Sequence, residues 1–351
     1  MLVQLQYVRA IAALMVVYFH AVLQSEKVFD DPALSHALFG ETGVDLFFVL
    51  SGFVMWLTTA DRSTDTVEFY KRRIERIVPL YWVFTLMAAM IALIAPSLLK
   101  STVFDLPHLM ASLFFIPWFN PADPAGTMIA PVIVPGWTLN YEMYFYLVFG
   151  ALLLLPQGKR IPMLLLVIGG IFAAAQLAPD GSIIAGFYGY SVVFEFLAGV
   201  VLARLYMDGK LLPERLAAAL AVTAFIGLIV LDHQKIEIPR ALGPGVASTL
   251  IIYALISIDF TKYREWRFLH VLGDASYSLY ITHIYVLAGA RVLFSFEVFD
   301  GIRTEPVFLV FCLVASVVFA LLVHFFFEKP VAEFFKRRRQ RHRQKPSLVS
   351  G

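Results

Sequence analysis

The chain has 351 residues, 60% of them hydrophobic and only 15% charged, and 28 Lys and Arg against 26 Asp and Glu leave a net charge of +2. A soluble domain holds roughly 45–50% apolar and about 25% charged residues and could not cover this much apolar surface. Disorder, a collagen-like fibre and an ordinary soluble enzyme are therefore excluded, the small net charge gives no reason to expect nucleic acid, and the single cysteine, Cys312, excludes an intramolecular disulfide or a cysteine-built zinc site.

A helix that crosses a bilayer needs about 20 mostly apolar residues. In chain order, segments 5–24, 40–60, 78–95, 137–156, 161–178, 186–206, 214–231, 241–258, 275–294 and 306–327 fit that pattern. The expected fold is all-α, a polytopic membrane helix bundle of about ten transmembrane helices. The stretch 109–119 is apolar but short and lies among Pro107, Pro117, Pro121, Pro124, Pro131 and Pro135, so it is expected to be re-entrant or interfacial. The first segment lacks a basic leader and carries Arg9 and His20, unlike a cleaved signal peptide. With the N-terminus in the cytoplasm, alternation places 21 Lys and Arg on the inner side and six on the outer side, with Arg9 inside the first helix. Both termini are thus expected in the cytoplasm, on a multi-pass protein of the inner membrane. Residues 1–335 read as one transmembrane domain, and 336–351 as a basic, disordered tail near anionic lipid.

Ionisable groups at membrane depth are costly and mark candidate sites. Arg9 and His20, 11 residues apart, fall within about 20° of one helix face and about 16 Å apart along the axis. Imidazole is the usual general base near neutral pH. Asp45 enters the second segment at a similar depth and needs a partner, for which His20 is the candidate. Arg72, Arg73 and Arg76 stand at helical spacing, and clustered guanidinium groups suit phosphate; positive-inside topology accounts for them as well. Glu142 lies one turn inside the fourth segment with Tyr146 on its face, after Trp137. In the ninth segment Ser276, Tyr280 and His283 form a polar stripe beside Tyr277. Together these residues draw a polar path through a bundle.

The strings carry a resemblance. Arg9 and His20 bracket ten residues in the first helix. Residues 43–53 read Gly-Val-Asp-Leu-Phe-Phe-Val-Leu-Ser-Gly-Phe. Arg73, Arg76, Ile77, Pro79 and Tyr81 follow, then Trp137, Glu142 and Tyr146 with Thr138 in place of a serine, then Ser276, Tyr277, Tyr280 and His283. In this order they resemble acyltransferase family 3, the integral-membrane O-acyltransferases. The resemblance implies an acyl-CoA co-substrate, most often acetyl-CoA, with no permanently bound cofactor and no metal. It implies a carbohydrate hydroxyl acceptor, possibly lipid-linked, on a surface or exported glycan. The chain looks like the stand-alone members that acetylate exopolysaccharide. His20 would be the general base, supported by Asp45 or Glu142. Arg72, Arg73 and Arg76 would hold CoA phosphates, and Arg9, Trp137, Tyr146, Ser276, Tyr277, Tyr280 and His283 would line the path. Two other readings share the same polar path: a proton-coupled transporter or flippase, and an acyltransferase for a small hydroxylated metabolite or a lipid.

Overall fold

A computed structural model describes residues 2–29, 39–60, 65–96, 102–234, 236, 238–296 and 304–344. These residues form an all-helical bundle, with a lone antiparallel bridge between Phe119 and Ile129 and no strand among the described residues. The α-helices in chain order are α1 (Val3–Ser25), α2 (Gly43–Thr59), α3 (Thr66–Ile94), α4 (Leu106–Leu113), α5 (Trp137–Leu152), α6 (Gln157–Ala175), α7 (Val193–Met207), α8 (Glu214–His233), α9 (Pro244–Ser257), α10 (Arg267–Asp274), α11 (Ser276–Leu293), α12 (Glu305–Val323) and α13 (Lys329–Gln344).

Each of the ten expected segments lies on a helix, but seven helices among the described residues are long and apolar enough to cross a membrane. The 16 residues of α5 and 14 of α9 reach about 24 and 21 Å at 1.5 Å per residue, short of a hydrocarbon core of about 30 Å. The 18 residues of α11 have the length, but its run of Ser, Tyr, Thr and His lowers its hydropathy. Large apolar side chains on α6, α8 and α12, among them Leu166, Val222 and Val310, face outward as a lipid-facing surface does. The chain is a multi-pass membrane protein.

Two expectations need correction, that of a loop at 61–77 and that of a disordered tail. The basic stretch 61–77 is not a loop throughout: α3 starts at Thr66, capped by the Asp65 carboxylate on the Val67 N–H, and Pro79 does not break it. The stretch 109–119 holds the end of the eight-residue helix α4 and the turn after it, too short to span, as its length implied. The tail expected to be disordered from 336 is helical to Gln344, because α12 runs through a wide turn at His324–Glu328 into α13. Residues 345–351 lie outside the described residues.

Helix α1 packs against α2, α10, α11 and α12. Its buried face is small (Ala10, Ala12, Ala13, Val16, Val17), which lets neighbours approach its backbone. A Cβ on Gly43 would come within 2.3 Å of the Ala12 carbonyl oxygen. The α2–α7 seam is tighter: a Cβ on Gly52 would stand 2.0 Å from the Phe196 oxygen, and one on Gly199 1.9 Å from the Val49 oxygen. The loop before α5 is also pinned. His108 Nε2 bonds the Ala130 oxygen at 2.9 Å, and the Ser112 hydroxyl accepts the Val132 N–H at 3.0 Å. The Asp123 carboxylate accepts the N–H groups of Met128, Thr127 and Ala125, which hold it below the usual carboxylate range. These ties lead into the tight turn Val134–Gly136 and set where α5 begins.

Because the α2–α7 contact is backbone on backbone, no side-chain rotation can absorb an added methyl. Gly199→Ala is expected to cost about 1–3 kcal/mol through overpacking. Thermal unfolding in detergent micelles checks this, with Gly227→Ala as control, since a Cβ there meets nothing within 4 Å.

Candidate active site

The polar groups of α1, α2, α3, α5 and α11 converge on one cavity of about 110 Å³. Arg9, Ser51, Arg73, Arg76, Thr138, Glu142, Tyr146, Ser276, Tyr277 and Tyr280 all contribute to its wall, and Phe47, Phe48 and Leu139 supply apolar surface. Three guanidinium groups thus face one carboxylate, an excess of positive charge in a largely apolar cleft. Such a site favours an anion with several acceptor oxygens.

Each helix presents its residue by direction and period. The chain enters α5 through the tight turn at Pro135, so Thr138, Glu142 and Tyr146 follow one another down a single face. Glu142 accepts hydrogen bonds from the Tyr146 hydroxyl one turn along and from Ser51 at 3.2 Å. Arg73 lies over the rings of Phe69 and Tyr146, 5.3 and 5.2 Å from their centres, so its charge is directed along aromatic faces. Tyr277 donates to the Ile77 oxygen at 2.7 Å and fixes α11 on α3. Tyr280 donates to the Pro135 oxygen at 2.7 Å and meets the Thr138 hydroxyl at 2.7 Å. The hydroxyl retained by Thr138 is therefore in use.

Beyond Tyr280, whose ring centre is 6.1 Å from that of His283, two histidines face each other. His283 Nε2 is 3.3 Å from His20 Nδ1. His20 Nδ1 also lies 2.9 Å from the Val16 oxygen, and His283 Nδ1 3.2 Å from the Leu279 oxygen. A carbonyl oxygen only accepts, so the hydrogens belong on both Nδ1 atoms. His20 Nε2 is then a bare lone pair, and it has no hydrogen-bond donor among the described residues. A neutral imidazole with a fixed tautomer and an open nitrogen is the form a general base requires.

The expected pairing of Asp45 with His20 is not formed. Asp45, fully buried in the first turn of α2, takes a two-pronged bond from Arg240, whose Nε and Nη2 each lie 2.8 Å from a carboxylate oxygen. Arg240 also bonds the Glu41 carboxylate and lies over Trp137, 5.9 Å from the ring centre. The buried Glu195 carboxyl borders this cluster, and neither of its oxygens has another hydrogen-bonding group among the described residues. Arg240 was not a sequence candidate. It sits 195 positions from Asp45 in the connection between α8 and α9, and no period links the two; its one signal was being an arginine on the side expected to be cation-poor. Trp137 belongs to this cluster and does not line the cavity. The arginines of α3 also separate: Arg73 and Arg76 face the cavity, whereas Arg72 points away and pairs with Glu68 at 2.9 Å.

The amino-acid sequence matches the model of an acyltransferase domain family over residues 2–325. It is 35% identical to the exopolysaccharide production protein ExoZ of Rhizobium meliloti over 260 residues, 72% of this chain and 78% of that protein. It is 28% identical to the acyltransferase MdmB of Streptomyces mycarofaciens, over 80% of this chain and 77% of that one. It is 26% identical to the peptidoglycan O-acetyltransferase OatA of Listeria monocytogenes, over 78% of this chain but 47% of the longer relative. No solved structure matches significantly. The chain belongs to this acyltransferase family and is a membrane acyltransferase that transfers groups other than amino-acyl groups.

Arg240→Ala would strand the buried Asp45 carboxylate. Breaking a buried pair costs about 3–5 kcal/mol. The variant is expected to unfold at markedly lower temperature, and adding Asp45→Asn should recover part of the loss. A double-variant cycle on melting temperature measures the coupling.

Proposed function

We propose that this protein is an O-acetyltransferase that moves an acetyl group from acetyl-CoA to a hydroxyl of an exported or surface glycan. One observation carries the reading: a cavity walled by Arg9, Arg73, Arg76 and Glu142 runs up to Tyr280, next to the His20–His283 pair. The donor is a polyanion with a long neutral arm, and guanidinium groups at one end with an imidazole past the other suit its two ends.

Arg73 and Arg76 take the donor phosphates and admit the arm along the wall of Tyr146, Glu142 and Tyr280. The acceptor hydroxyl is the nucleophile. As its oxygen attacks the thioester carbonyl, its proton passes to His20 Nε2. The tetrahedral intermediate collapses with rupture of the carbon–sulfur bond, and the proton on His20 returns to the departing thiolate. No net charge remains on the protein. The Val16 carbonyl positions the base by accepting from His20 Nδ1–H, and His283 packs against the same side of the ring, so the ring cannot turn its protonated nitrogen towards the acceptor. Arg9 balances Glu142 within the cavity.

The carbohydrate acceptor is supported by two relatives, an exopolysaccharide production protein and a peptidoglycan O-acetyltransferase. The 21-to-six distribution of Lys and Arg supports a cytoplasmic donor end and cytoplasmic termini, on a protein of the inner membrane. His20, at the other end of α1, then meets an acceptor in the outer half of the bilayer.

His20→Ala is expected to lower turnover by about 10²–10⁴-fold in the purified protein. The assay follows thiol release from acetyl-CoA with a polysaccharide acceptor. Retention of more than about a tenth of the activity would exclude His20 as the base. Arg73→Ala should act on the donor instead, raising the KM for acetyl-CoA by about 10-fold or more while the acceptor KM stays nearly constant. Equal changes in both would count against the donor role.

A further inference from the structure

The groove between α3 and α13 has no part in the reading so far. It is lined by Arg72, Arg76 and Leu80 from α3 and by Phe327, Phe335 and Arg339 from α13 and the turn before it. Arg76 is common to this groove and to the main cavity, so the two share a wall. The family match ends at residue 325, and α13 lies wholly beyond it, so Arg339 comes from a part of the chain outside the matched domain.

Resting on the acyl-CoA reading above, we infer that this groove is the subsite for the 3′-phosphoadenosine end of the donor, with Arg339 and Arg72 on the 3′-phosphate and Leu80, Phe327 and Phe335 against the adenine. The arrangement has what such a ligand needs. A phosphate monoester takes charge-assisted bonds from more than one guanidinium, and an aromatic base needs a flat apolar wall. Arg76, between the two cavities, stands where the diphosphate must pass on the way to the thioester end. The local carboxylates have other work. Glu328 accepts from the Ser278 hydroxyl at 2.6 Å and meets His324 Nδ1 at 2.9 Å. Glu68 holds Arg72 at 2.9 Å, and Glu75, nearly buried, holds Arg339. Glu68 and Glu75 are thus counter-ions that keep the two guanidinium groups in place until a doubly charged phosphate displaces them.

The test compares acetyl-CoA with acetyl-3′-dephospho-CoA on the purified full-length protein in detergent. The wild type should prefer the phosphorylated donor in kcat/KM by roughly 10-fold or more. Arg339→Ala should bring that ratio close to one, chiefly by raising the KM for acetyl-CoA, and Arg339→Lys should restore part of it. Arg72→Ala, at an exposed position that tolerates truncation, should lower the ratio in the same direction. A purely structural role for α13 would leave the ratio at the wild-type value while both donors suffer alike, and that result overturns the inference. A wild type that does not distinguish the two donors overturns it as well. A wild type that uses neither donor would sink the acyl-CoA reading itself, a different failure.

Discussion

A charge inside a hydrocarbon-embedded bundle must find a counter-charge or a set of hydrogen bonds, and the cost of failing to do so is several kcal/mol. The interior of this bundle is organised by that requirement. Asp45 is held by both prongs of Arg240, which in turn is shared with Glu41 and backed by Trp137. Glu142 is held by two hydroxyl groups, and Arg73 is spread over two aromatic rings. The histidines avoid the cost by another route, each placing its Nδ1 hydrogen on a carbonyl of its own helix. Beside the cavity, one nitrogen of His20 is left without a hydrogen-bond donor among the described residues, and cationic groups outnumber the carboxylate on its wall.

This division separates two kinds of polar cluster that look alike in sequence. The Asp45–Arg240 cluster closes on itself and serves as a fastening between α2 and the connection before α9. The cluster on the cavity wall leaves donor capacity facing empty volume. Glu142, Arg73 and Arg76 belong to the second kind, and so they carry the proposed chemistry while Asp45 does not.

Much of this is legible in the sequence alone. Apolar length located all ten helical segments, since hydrophobicity along one chain is a local property. The positions Arg9, Glu142, Tyr146, Ser276 and Tyr280 were found because polar residues stand out against an apolar background, and they do meet at one cavity. The partners were not legible. His20 meets His283 across 263 positions and Asp45 meets Arg240 across 195, and no helical period predicts either contact. The extent of α3 and α13 was hidden for a different reason. Residues 66–77 and 329–344 are rich in charge, and hydropathy cannot tell a polar helix from a solvated loop. The capping carboxylate of Asp65 and the helical spacing of Arg72, Arg73 and Arg76 are the local signs at α3.

The seam at Gly52 and Gly199 assigns mechanical roles to the walls of the cavity. Helices that meet through carbonyl oxygens have no compliant layer between them, so α2 and α7 move as one rigid plate. Helix α2 contributes Val44, Phe47, Phe48 and Ser51 to the cavity, and that wall is stiff. The opposite wall meets through longer groups: Arg73 over Tyr146, and the Tyr277 hydroxyl on the Ile77 oxygen. Side chains can change rotamer where backbones cannot interpenetrate. Any widening needed to admit an acyl donor and release free CoA therefore falls to α3, α5 and α11, with α2 as the fixed jaw against which they open.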